Sequence, residues 1–285
     1  LRQGCRMESG ESGSMEDKVV FKGLTVQEFI HPGEEEAKRS LIQNPAFQKL
    51  IQTASEWGQK FGQTEIQGTY LHLTPETAPR LHGLLQEACR VLDFPGAPEL
   101  YLCHKWGPHV LPYSGSTLCL LISDYVAERY DDDMLSYLFG NALTMMKAGH
   151  VEMTTVAAYM RQSLWALPLT IEFKRYLHLA DATSDRGGLL ACQTLAGAAR
   201  CHFEELGIPS SETRKLFQTD EEAVTYIRRY LRAVEQKNGQ DGIGVHAAAW
   251  WIDLNYVEAP ANQMLEDLYT WYCSGYQVLL DRYRQ

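Results

Sequence analysis

Residues 131–150 read DDDMLSYLFGNALTMMKAGH. Leu135, Leu138, Phe139, Ala142, Met145 and Met146 recur at i, i+3, i+4 and i+7, which puts them on one apolar stripe of a helix. Asp131, Asp132 and Asp133 stand just before it, where carboxylates cap free backbone N–H groups and oppose the helix dipole. Lys147 and Gly149 supply the stop signal. The same reading carries along the chain. A short strand is predicted over 19–21, and helices over 34–58 with a break at Asn44-Pro45. Alternation predicts a strand over 66–73, followed by a helix from Thr74 to about Leu92 carrying Leu81, Leu84, Leu85 and Ala88. Residues 99–105 and 116–123 read as strands joined by a short loop, which predicts an antiparallel pair.

After His150 the helical period runs to about Arg161. It resumes over 170–202, interrupted at Gly187-Gly188, and again over 211–234. A glycine-rich loop at 238–244 precedes aromatic-rich helices over 246–254 and 262–283. The sum is an α+β fold, mostly helical with a small antiparallel or mixed sheet. Residues 1–14, polar and rich in Gly and Ser, are set aside as a flexible lead or a vector-encoded remnant, and residues 15–285 are taken as a single domain.

Composition narrows the function classes. The net charge of −10 argues against nucleic acid and against an anionic membrane surface as partners. No apolar run approaches the roughly 20 residues of a membrane span, and no signal-peptide pattern opens the chain. Seven cysteines with no CxxC pair predict a reduced, cytoplasmic protein without disulfides or a thiolate metal site. His104 and His109 read as exposed loop residues. The tail aromatics (Trp250, Trp251, Tyr256, Tyr269, Trp271, Tyr272, Tyr276) read mostly as core packing, with a peptide-binding face as the alternative.

Three blocks in order carry a resemblance: PELYLCHKW at 98–106, the run from Ser116 through Met153 that contains the central helix, and FKRYLHLADATSDRGGLLACQ at 173–193. Together they resemble the HtpX-like zinc metalloendopeptidases, the family that also holds the CAAX prenyl proteases. The family's central helix runs approximately as GHELGHIKSGH, and its later helix as AELSADRAGLLA. The resemblance implies a zincin-like fold with the sheet beside the former HExxH helix.

In an active member two histidines at i and i+4 bind zinc, and the intervening Glu activates the metal-bound water. Here those positions hold Asn141, Ala142 and Met145, and the third-ligand position holds Asp181. An amide oxygen is a weak ligand, a thioether suits a hard site poorly, and alanine has no proton acceptor. The resemblance therefore implies a catalytically inactive pseudopeptidase, with no catalytic residue, metal or cofactor expected where active relatives hold zinc. Peptide or protein is the expected partner, and a peptide- or protein-binding or regulatory module the expected role. His150, Asp185 and Arg186 are expected to be structural, the last two joining their helix to the central one. Thr117, Cys119 and Leu121 mark a candidate strand edge for an extended peptide. Two alternatives stand beside this reading: an active zinc-dependent endopeptidase with an altered site drawing on Asp181, His178 or His150, and a structural or assembly subunit.

Overall fold

A computed structural model of the protein describes residues 18–53, 66, 68–104, 110–114, 117–153, 156, 167–238 and 261–284. They form a mostly helical α+β fold around a four-stranded mixed sheet. Helix α1 (Glu34–Gln43) is followed by a second helical run over 45–53. Strand β1 (Leu71–Leu73), helix α2 (Pro79–Val91) and strands β2 (Glu99–Cys103), β3 (Val110–Ser114) and β4 (Leu118–Ser123) come next. The short α3 (Asp124–Arg129) leads into the central helix α4 (Asp132–Lys147). Helix α5 (Leu167–Cys192) packs along α4, and α6 (Leu195–Glu205), α7 (Ser210–Leu216) and α8 (Asp220–Asn238) follow. The tail is α9 (Ala261–Trp271), a π-helical stretch (Tyr272–Tyr276) and α10 (Gln277–Tyr283).

The sheet runs in the order β1-β2-β4-β3. Here the structure corrects the predicted hairpin. β2 and β4 pair in parallel, with Glu99 opposite Cys119 and Cys103 opposite Ser123. The segment between them, read as a loop, contains β3, which pairs antiparallel with β4 on its far side. A parallel pair needs a crossover connection, and β3 lies within it. Pro112 in the middle of β3 argues against a strand on sequence grounds, but an edge strand tolerates proline.

With β2 on one side and β3 on the other, β4 is an interior strand. It does not offer Cys119 or Leu121 as a free peptide-binding edge, and Thr117 precedes it in an exposed bend. Its run LCLLI is continuous because both faces are buried. Leu120 and Ile122 enter the main core with Leu100 and the helices; Cys119 and Leu121 pack with Ile66, Tyr101 and Cys103 on the other face.

Other expectations are corrected in detail. Residues 19–21 are not a strand; Phe21 N–H donates once to the Val91 carbonyl. Of the described residues in the predicted 66–73 strand, only Leu71–Leu73 are extended. Gly187-Gly188 does not interrupt α5; both lie mid-helix, because α4 approaches too closely there for side chains. The break comes later, at Gln193 (φ 58°), after which the Thr194 hydroxyl accepts from Gly197 N–H and caps α6. Thr194→Ala is expected to cost about 1 kcal/mol in urea unfolding, the usual worth of such a cap. The predicted helix over 211–234 is two helices hinged at Phe217. His109, the helix predicted over 246–254, Trp250, Trp251 and Tyr256 lie outside the described residues, as does most of the predicted loop at 238–244.

The central helix starts and stops as predicted. Asp131 Oδ1 accepts from Met134 N–H at 3.0 Å, and Gly149 ends it at φ +70°. Its buried surface is wider than the predicted stripe. Leu138, Met145 and Met146 are half-buried, whereas Tyr137, Gly140 and Thr144 are buried against α5. A Cβ on Gly140 would stand 2.3 Å from the Ala191 Cβ and 2.9 Å from the Gly187 carbonyl oxygen. Glycine at these positions sets the distance between the two helices.

Candidate functional site

The α4–α5 junction brings together two of the three blocks on which the sequence resemblance rests. Asn141 Nδ2 donates to Asp185 Oδ1 at 2.8 Å. Tyr137, one turn earlier on α4, donates its hydroxyl to the same oxygen at 2.6 Å. His202 of α6 lies 2.9 Å from that hydroxyl through Nε2, and 3.5 Å from Asp185 Oδ2. Since the phenol proton goes to the carboxylate, Nε2–H must donate to the phenol oxygen. On its other side His202 Nδ1 faces the more exposed Glu205 carboxylate at 3.7 Å. Three helices thus meet at one polar cluster. The long apolar side chains around it come from the main core.

Burial governs the electrostatics here. It pushes the Asp185 carboxyl up to about 6, against the opposing pull of His202 and the hydrogen bonds from Tyr137 and Asn141. Burial alone would lower His202, but Asp185 and Glu205 outweigh it and leave the imidazole above its ordinary value. Burial beside Asp185 pushes the Tyr137 phenol far above the usual range, so it remains a donor.

Met145 follows Asn141 by one helical turn, and Asp181 precedes Asp185 by one; both are half-buried. Because α4 and α5 run antiparallel, these residues extend the same row beyond the Asn141–Asp185 bond. Ala142 is different. It is fully buried among core side chains (0% exposed).

The donor chemistry does not fit a catalytic zinc. Asn141 turns its NH₂ to Asp185, Met145 offers a thioether and Asp181 a single carboxylate, where three N or O ligands are the norm. Among the described residues no three His, Cys, Asp or Glu side chains stand together as a metal site. The described cysteines are free thiols, and burial holds Cys89 and Cys192 up at about 12, far from the thiolate form.

His150 is turned away from the alternative site with His178 and Asp181. Its Nε2 lies 2.7 Å from Glu34 Oε1 and its Nδ1 3.3 Å from Ser184 Oγ. Glu34 also accepts from the Thr183 hydroxyl, and Thr183 accepts from His31 N–H. This buried cluster fastens α1 to α5. Its serine, histidine and glutamate line up in the order of a hydrolase triad. Ser184 is 1% exposed and donates to the Ala180 carbonyl, so no substrate reaches it.

Arg186 does not join its helix to α4. It donates to the Phe29 and Ile30 carbonyls and lies over the Trp271 ring at 5.4 Å, tying the start and the tail of the described chain to α5. Tyr269, Trp271 and Tyr276 are buried, and Tyr269 accepts from Arg228. His104 is exposed and paired with Asp124.

Tyr137, His202 and Glu34 are not foreseen from the sequence. For Tyr137 a signal was available: with Asn141 and Thr144 it forms a second, polar stripe on α4 at i, i+4 and i+7. Glu34 had none: in the run Glu34-Glu35-Glu36 it is indistinguishable from a solvated helix start. In comparisons with known proteins, no family model, no curated protein and no solved structure matches this chain.

Proposed function

We propose that this protein is a non-catalytic relative of the HtpX-like metallopeptidases, with a zincin-like arrangement of α4, α5 and the sheet, that acts by binding peptide or protein rather than by cleaving it. One observation carries the reading: the 2.8 Å bond from Asn141 to Asp185. In a metallopeptidase of this type the residue at position 141 would be a histidine. Such a ligand donates one ring N–H to a neighbouring carboxylate and presents its other nitrogen to the metal. Asp185 accepts from Asn141, which supports reading it as that carboxylate, and an asparagine keeps the hydrogen bond without supplying the ligand. The buried Ala142 fits the same reading, since a general base there would have to reach a metal-bound water.

The test has two arms. Protein purified without chelator is expected to contain no stoichiometric zinc by elemental analysis, and to leave a casein-type substrate intact with or without chelator. Zinc at one equivalent with chelator-sensitive cleavage would overturn the proposal. In the second arm, Asn141→His, Met145→His and Asp181→Glu are combined, and Ala142 is left alone because a glutamate there would bury a carboxylate in the core. This triple variant is expected to take up zinc. A folded triple variant that binds none would sink the correspondence of positions 141, 145 and 181 to metal ligands.

A further inference from the structure

A groove of about 700 Å³ runs between α1, the segment that precedes it and the C-terminal end of α4. None of the α4–α5–α6 polar cluster opens into it. Its floor is apolar, from Leu24, Val26, Ile30 and Ala148, and Leu24 and Val26 are buried. Its rim is cationic: Lys38 and Arg39 come from α1 and Lys147 from the last turn of α4. Glu34 also lines the groove, but its carboxylate is taken by His150 and Thr183. Among the residues that line it, Glu35 is then the one other acid against three cations, with Asp93 and Glu28 acting on Lys147 from outside the lining, in a chain whose net charge is −10.

The cations are underused. Lys38 and Arg39 make no ion pair among the described residues. Lys147 is half-buried, and its ammonium donates to the Leu92 carbonyl at 2.9 Å. An ammonium carries three N–H groups, so two remain for a ligand. Burial pulls the Lys147 amine below its ordinary value, although Asp93 and Glu28 pull it partly back. An anion seated beside it would offset that burial.

Size and shape choose the ligand class. The volume lies within the usual range of small-molecule sites. Thirteen residues line it, fewer than the roughly 20–30 residues a side of a stable protein interface. We propose that this groove binds a long-chain carboxylate as a free monomer, with its alkyl chain on the Leu24–Val26–Ile30–Ala148 floor and its head group on Lys147, Lys38 and Arg39.

Titration calorimetry of the full chain with sodium dodecanoate, kept below its micelle concentration at low salt, is the direct test. Saturable one-to-one binding is expected, with no comparable heat from acetate, which lacks the chain, or from dodecyltrimethylammonium, which inverts the head group. Lys38→Glu with Arg39→Glu changes the half-buried and the exposed cation that α1 gives the rim, and is expected to weaken dodecanoate by roughly tenfold or more, as is 0.5 M salt. Lys147→Met is expected to weaken it further; if that variant does not fold, the surface pair decides. The proposal is overturned by non-saturable binding, by equal affinity for the cationic amphiphile, or by unchanged affinity in a folded Lys38→Glu/Arg39→Glu variant. Capture of the protein on phosphatidylglycerol vesicles without one-to-one monomer binding also overturns it, since the groove would then be reading a membrane surface.

Discussion

Replacing Gly140 with alanine is expected to lower the stability of the fold by about 2–3 kcal/mol, read as a shift in the urea midpoint at unchanged m-value. On an isolated helix the same change would add roughly 1 kcal/mol. Sterics reverse the sign. The new methyl would stand 2.3 Å from the Ala191 Cβ and 2.9 Å from the Gly187 carbonyl oxygen, and neither atom can rotate away. Helix α5 would have to withdraw from α4, stretching the Asn141–Asp185 and Tyr137–Asp185 bonds. Ala191→Gly removes the nearer obstacle. The double variant should therefore recover part of the loss, with a coupling of about 1 kcal/mol between the two sites. A neutral Gly140→Ala would mean that the helices do not approach as described.

The Asp185–His202 pair predicts an unusual dependence on pH. Asp185 sits at about 6 in the fold, against an ordinary 3.8, so the folded state holds its proton more tightly. Its contribution is greatest below about 4 and is lost as pH rises through 6. His202 is also raised, from 6.5. Its contribution is complete below 6.5 and is lost as pH rises through its higher folded value. Both groups give the folded state more bound protons than the unfolded one, so stability falls as pH increases. One proton gives a slope of at most about 1.4 kcal/mol per pH unit. Urea unfolding between about pH 6.5 and 8.5 should show a decline in the wild type that flattens in Asp185→Asn/His202→Gln, where both titrating groups are gone; the histidine change alone would let Asp185 rise, since His202 holds it down. The same slope in both proteins would show that neither group titrates here.

Local signals were legible in the sequence, and pairing signals were not. The start of the central helix could be read because an aspartate cap and a helical repeat are encoded within a few residues of one another. The parallel β2–β4 pair could not, because nothing in LCLLI says which strand lies beside it, and Pro112 disguised β3 as a loop. Gly187 and Gly188 weaken an isolated helix; only the presence of Thr144 and Tyr137 across the interface explains them. At the candidate site, the sequence marked Asn141, Ala142, Met145 and Asp181 by what they lack. It was silent on what occupies the junction instead, because Tyr137 and His202 are far apart in the chain and are brought together, with Asp185, only by the fold.

The Glu34 cluster has a consequence for the order in which the protein is made. Thr183, which holds Glu34 in place, is synthesised 149 residues after it. At about 5–20 residues per second, α1 emerges roughly 7–30 s before its partner exists. During that interval Ala37 and Leu41 have no α5 to pack against, and Glu34 has neither His150 nor Thr183. The first helix of the fold is thus among the last to be secured, and a nascent chain halted before α5 would present an apolar helix face to the chaperones around the ribosome.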